Sequence, residues 1–176
     1  DALEDAREAV DLAGKLKADS IIVYTGARGG HTHNHARRLL RDALKELAPQ
    51  ARENGVVPAI EPMHPAAAGD CTFLSSLDEA LDLLAAVGDP ALRLCFDTYH
   101  LGFSPDWERQ LERAAPHVAV VHVGDGRAPR NGEQMRTTLG DGDVPLRAMF
   151  EALKRHGFQG YFDVELIGSD VDPANY

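Results

Sequence analysis

Four residues of this chain have types and positions that suit chemistry. Glu61, Asp97, His122 and Glu165 each stand at or near the C-terminal end of a different short apolar run. Three carboxylates and an imidazole gathered in one site could not all stay charged unless a cation neutralised them. Three oxygen-donor residues plus one nitrogen suit one divalent ion, Mn2+, Mg2+ or Co2+, better than a closed structural zinc site. A single acidic residue at a strand end is ordinarily a helix cap or a loop residue. Four of five runs ending this way point instead to a shared site.

The elements that must position these residues alternate along the chain. Residues 2–17 carry Leu3, Ala6, Val10, Ala13 and Leu16 at helical spacing. The run 20–25 predicts a strand, followed by a Gly-rich loop at Gly26 to Gly30. A helix over about 36–54 would bury Leu39, Leu40, Ala43, Leu44, Leu47 and Ala51, with Pro49 expected to kink or split it. A strand over 56–61 follows. Ser76-Leu-Asp-Glu79 has the pattern of a capping box, opening a helix that Gly88-Asp-Pro90 closes. Strands are expected over 92–97, 118–123 and 161–167. Ser104-Pro105 predicts the start of one further helix, and Asp143 is expected to cap another bearing Leu146, Met149, Phe150 and Leu153.

Five apolar strands separated by helices mean βαβ units and a parallel sheet covered on both faces, in a single α/β domain over 1–176. In such folds the loops at the C-terminal strand ends form the active site. Composition agrees: 176 residues, 44% hydrophobic and 26% charged, suffice for one core and not for two ordinary domains. The formal net charge of −10 argues against a nucleic-acid partner, since an acidic surface repels phosphate backbones. No apolar run reaches the ~18 residues of a membrane span, and no signal peptide opens the chain. Two cysteines make no disulfide framework, so a reducing, cytoplasmic compartment is expected. The chain opens on Asp1 within a helical pattern, and is expected not to begin where its gene does.

At the strand ends the chain resembles a known family. Ala59-Ile-Glu61-Pro-Met-His64, Cys95-Phe-Asp97-Thr-Tyr-His100, Val121-His122-Val-Gly-Asp125 and Phe162-Asp-Val-Glu165 are similar to successive motifs of the xylose-isomerase-like TIM barrels, the sugar phosphate isomerase/epimerase superfamily. Gly140 and Gly142 resemble the Gly-x-Gly turn before the penultimate helix of those barrels. The resemblance implies a (β/α)8 barrel in which Glu61, Asp97, His122 and Glu165 hold one divalent metal, Mn2+ foremost, with Zn2+ a further option. It also implies that Glu61 and Glu165 move protons, that His100 contacts substrate, and that Arg127 or Arg130 binds substrate as well. Eight strands and about 250 residues are needed for such a barrel. Five are visible, so the first three βα units and the final helix are expected to be missing, leaving two open sheet edges. Between Pro62 and Gly69 there is no counterpart of a further acidic residue used by some ketose epimerases, and Asp70 comes too late in the loop to match it. That counts against a close ketose-epimerase assignment.

The implied chemistry is proton transfer beside a carbonyl of a sugar or keto-polyol, through a metal-stabilised enediolate with Glu61 and Glu165 as base and acid. Isomerase, epimerase and dehydratase outcomes all use it. A metal-dependent hydrolase, including abasic-site endonucleases of this fold, is the alternative. It needs two or three metals and more ligands than are found here. A non-catalytic sugar-binding barrel is the other, and a homo-oligomer is compatible with each. His31-Thr-His33-Asn-His35 is a rival metal signal, with His31 read as a substrate contact. His64 could also reach substrate or simply sit at the surface. Asp125 could orient a ligand or simply sit in a turn. Strand alternation places Arg93 and Asp163 on the barrel side, which predicts a buried ion pair between them. Cys95 reads as core filler and Trp107 as packing.

Overall fold

The computed structural model describes residues 2–69 and 71–166. In chain order the elements are α1 (Ala2–Leu16), β1 (Ser20–Val23), α2 (His33–Asn54), β2 (Val57–Ile60), α3 (Leu77–Val87), β3 (Arg93–Asp97), α4 (Thr98–Leu101) and α5 (Trp107–Ala114), which runs into a 3-10 turn at Ala115–His117. Then come β4 (Val118–Val123), β5 (Asp125–Arg130), β6 (Glu133–Thr137), α6 (Leu146–Arg155) and β7 (Tyr161–Val164). Five strands form one sheet in the order β1-β2-β3-β4-β7, every neighbouring pair parallel. The Tyr161 hydroxyl donates to Asp19 Oδ2 at 2.9 Å, so the first and last strands approach each other at their starts. The sheet is a curled half-barrel.

Burial explains why these segments take these forms. The apolar stripe of α3, Leu77, Ala80, Leu83, Leu84 and Val87, joins one core cluster with Leu94 and Phe96 of β3 and Val121 and Val123 of β4. Each fully buried leucine contributes about 1.5–3 kcal/mol. The predicted capping signal holds: Ser76 Oγ accepts the Glu79 N–H at 3.2 Å and Glu79 Oε2 accepts the Ser75 N–H at 2.9 Å. Gly88 ends the helix at φ 73°, a conformation glycine adopts without strain. A smaller cluster of Val10, Leu47 and Ala51 joins α1 to α2. The outer edge at β7 leaves Tyr161, Phe162 and Val164 exposed. Among the described residues no helix is long and apolar enough to cross a membrane.

Several local expectations are corrected. Pro49 does not split α2, which runs unbroken from His33 to Asn54, because Leu44, Leu47, Ala48 and Ala51 anchor both sides of the proline in the core. Leu39 lies on the outer face of that helix, 48% exposed. α5 starts at Trp107 rather than beside Ser104, and α6 starts at Leu146 without a cap from Asp143, whose N–H instead donates to Gly126 O at 2.8 Å. Trp107 packs against the main core, as expected. The Arg93–Asp163 pair does not form. Arg93 opens its strand and turns its guanidinium to the carbonyls of Pro116, His117 and Val118 at 3.1, 3.3 and 2.8 Å, while Asp163 is exposed on the edge strand. An antiparallel hairpin, β5–β6, was not expected at all. Ile167 and Asp70 lie outside the described residues.

Candidate metal centre

The parallel sheet carries the four residues to one place. Glu61 directly follows β2, and its N–H extends the ladder to Val23 O at 3.3 Å. Asp97 is the last residue of β3, and its Cα pairs with that of His122 in β4. Glu165 directly follows β7, its N–H donating to Val123 O at 3.0 Å. One donor atom from each of the four lies within 4.8 Å of the other three. His122 Nδ1 is 3.2 Å from Glu61 Oε2 and 3.7 Å from Glu165 Oε2. Glu61 and Asp97 are wholly buried.

The bonding of these groups is uneven. Asp97 caps α4, Oδ1 accepting the N–H groups of Tyr99 and His100 at 2.6 and 3.0 Å. By contrast, neither Glu61 oxygen nor His122 Nδ1 has a well-aligned hydrogen bond, their close polar contact being with each other at 3.2 Å. Buried polar atoms are rarely left so, because each orphan costs about 1–3 kcal/mol. Orphaned carboxylate and imidazole lone pairs facing two further carboxylates make a donor set that fits a divalent cation.

One buried cation is already present. Arg136, from β6, is 2% exposed. Its Nη2 donates to Asp97 Oδ2 at 2.8 Å and to Glu165 Oε2 at 2.7 Å, Nη1 to Glu165 O at 3.3 Å, and Nε to Gln134 Oε1 at 2.7 Å. The guanidinium also lies 4.5 Å above the Tyr99 ring, in cation–π contact. Thr98 fixes the hairpin's root, its Oγ1 donating to Gly124 O at 2.7 Å and accepting the Gly124 N–H at 2.9 Å. Gly124 leaves room for the guanidinium, since a methyl there would meet Arg136 Nη1 and push it aside. Arg127 and Arg130, the two arginines expected near the metal histidine, are exposed on the same hairpin, and neither bonds to the four residues. The hairpin's tight turn at Asn131-Gly132, with φ of 52° and 85°, carries the chain back so that Arg136 enters the site.

Burial and charge set the acidities. Burial pushes the Glu61 carboxyl above its ordinary range. Burial, then the neighbouring Asp97, lifts Glu165 to about 7. Burial also opposes the charge on Asp97, but His100 and Arg136 outweigh it and hold this group low. For His122 burial works against protonation, yet Glu61 and Glu165 raise its pKa. Burial lowers His100 to about 4.

Other candidates fall around this centre. His100 is buried with both ring nitrogens unbonded. With His64, Ser75, Ser76, Phe103 and Gln110 it lines a cavity of about 260 Å³. His31 stacks on His35 at 4.6 Å and borders another cavity of about 670 Å³ with Arg28 and His33. His33 pairs with Glu79 at 3.2 Å. The triple-histidine segment joins no group of close metal-donor atoms among the described residues. A larger cavity of about 840 Å³, beside Arg93 and His117, lies at the starts of the strands, away from these groups. Asp125 is a turn organiser: Oδ1 accepts N–H groups of Gly126 and Val144, and Oδ2 those of Gly140 and Gly142. Cys95 is fully buried beneath the centre, packed with Ala59 and Val120, and its Sγ forms a second group of close donor atoms with Glu61 and His122.

Known proteins share this arrangement of strands. L-ribulose-5-phosphate 3-epimerase UlaE of Escherichia coli strain K12 is 30% identical over 144 residues, covering 81% of this chain and 48% of that protein. Protein SMc04130 from Sinorhizobium meliloti 1021 has a crystal structure that superposes with a TM-score of 0.85 at 32% identity, covering 96% of this chain and 63% of that one. The D-allulose 3-epimerase of Methylomonas sp., solved in complex with D-allulose, gives 0.77 at 24% identity, covering 98% and 58%. The chain spans about half the length of the curated relatives it matches. The family model for the xylose isomerase-like TIM barrel matches residues 1–176. This chain belongs to the xylose isomerase-like TIM barrel family.

Proposed function

We propose that the protein is a cytoplasmic, divalent-metal-dependent epimerase or isomerase of a sugar or keto-polyol, with Glu61, Asp97, His122 and Glu165 holding one ion, Mn2+ foremost. The observation that carries this reading is the orphaned, fully buried Glu61 carboxylate facing His122 Nδ1 and two further carboxylates. A bound divalent ion supplies positive charge against the oxygen charge that develops as a proton leaves the carbon beside a carbonyl. Glu61 and Glu165, just past the ends of β2 and β7, are the two groups able to take and return that proton. If they serve opposite faces of one carbon the product is an epimer. If one of them carries the proton between neighbouring carbons, an aldose and a ketose interconvert.

His100 is neutral near pH 7, so its ring can both donate and accept a hydrogen bond to substrate hydroxyls. His64 shares its cavity and serves the same part of the substrate, while His31, at a separate cavity, serves a more distant part. UlaE's name, that of a ketose-phosphate epimerase, weighs against the expectation drawn from the missing acidic residue between Pro62 and Gly69, and makes L-ribulose 5-phosphate the first substrate to try. A hydrolase with two or three ions finds less support, because the two donor groups among the described residues share Glu61 and His122 and amount to one centre.

The test is solvent-deuterium incorporation beside the carbonyl of candidate ketoses, in the wild type and in Glu165→Gln. The variant should lose exchange while still retaining some Mn2+. Exchange at an undiminished rate would remove Glu165 from the reaction.

A further inference from the structure

Arg136 is a buried cation bonded to two of the four proposed ligands, and the reading above gives it no part. Its Nη2 reaches Asp97 Oδ2 and Glu165 Oε2 together, and its other nitrogens are held by Gln134 and the Glu165 carbonyl. Tyr99 supports one face of the guanidinium, and Tyr99 in turn accepts the Met135 N–H at 2.6 Å. The placement is therefore built in, not a loose surface contact.

Charge balance makes this arrangement matter. A buried site is most stable when its charges cancel, because uncompensated charge in low dielectric is costly. Glu61, Asp97 and Glu165 bring three negative charges when all are ionised, and Arg136 brings one positive charge. Two negative charges remain, the complement of a divalent ion with a neutral imidazole. Hydrogen bonding does not bar the ion, since a carboxylate oxygen has two lone pairs and Nη2 takes one on each acceptor.

We infer that Arg136 is the resident counter-charge that matches the centre to divalent rather than trivalent ions, while positioning Asp97 and Glu165. This rests on the metal-centre reading. Without the guanidinium the ionised site would carry three negative charges, and an ion of higher charge would gain most.

The test measures affinities for Mn2+ and for Tb3+, by competition with detection of free Mn2+, in the wild type, Arg136→Gln and Arg136→Lys. The readout is the ratio of Tb3+ to Mn2+ affinity, in which effects common to both ions cancel. Arg136→Gln should raise that ratio about tenfold or more, since each unit of ion charge responds separately to the lost cation. Arg136→Lys keeps the charge and should stay within about threefold of wild type. If Arg136→Gln does not fold, Gly124→Ala is the second route, because its methyl displaces the guanidinium without deleting it, and the ratio should again rise. An unchanged ratio in Arg136→Gln, or an equal rise in Arg136→Lys, would overturn the inference while leaving the metal centre standing. A wild type that binds no Mn2+ would overturn both.

Discussion

Glu61 offers the sharpest test of the physical account, because stability and metal binding should move in opposite directions there. The side chain is wholly buried, and its oxygens have no well-aligned hydrogen bond, only His122 Nδ1 at 3.2 Å from Oε2. An ionised carboxylate so placed costs several kcal/mol, and burial raises its pKa so that the proton is retained. The sign follows from the direction of the shift. Because the folded pKa lies above the ordinary 4.5, the ion-free protein loses stability as pH rises from 4.5 toward the folded value. Glu61→Gln preserves shape and removes the charge, though its amide stays unsatisfied at a cost of about 1–3 kcal/mol. Ion-free Glu61→Gln should therefore be more stable than wild type by about 1–3 kcal/mol near pH 8, the two converging below pH 4.5. Adding Mn2+ should reverse the order. Wild type gains about 2.7 kcal/mol at a hundredfold excess over Kd, and the variant gains little. Urea denaturation followed by circular dichroism, in EDTA and in Mn2+, reads all four values. A variant less stable than wild type in EDTA near pH 8, or equally stabilised by Mn2+, would refute the reasoning.

Two further outcomes are expected. Asp125→Ala removes four hydrogen bonds to backbone N–H groups, three of which tie the Gly-x-Gly turn segment to the hairpin, so amide exchange should quicken at Gly126, Gly140, Gly142 and Val144, with a stability loss of about 2–4 kcal/mol; unchanged exchange at those amides would count against this role. Exposed Cys71 should react at once with a thiol reagent in the native protein, whereas buried Cys95 should react only on unfolding. Two fast thiols would show that the layer beneath the centre is open.

The site was readable in the sequence where the physics is local. An apolar strand ending in a carboxylate or imidazole states both its burial and its exception to burial, and Glu61, Asp97, His122 and Glu165 each do so within a few residues. Arg136 carries no such mark. It sits in a polar segment, and what brings it to Asp97 is a hairpin whose signal, Asn131-Gly132, says only that the chain reverses. Reading that turn would have placed β6 beside β5, though not Arg136 against β3. Arg93 shows the opposite failure. Alternation gives a side chain's starting direction, but at the first residue of a strand the flexible arginine turns to open carbonyls nearby. Pro49 does not split its helix, because the burial of the apolar residues around it outweighs one lost helical hydrogen bond.

The central claim, a single divalent-ion centre made by four strand-end residues, is tested most directly by metal stoichiometry. Elemental analysis after loading with Mn2+ and removal of excess should return one ion per chain in wild type, with the ion lost or weakened in His122→Ala. Two or three tightly held ions, or one ion held equally well by His122→Ala, would contradict the account.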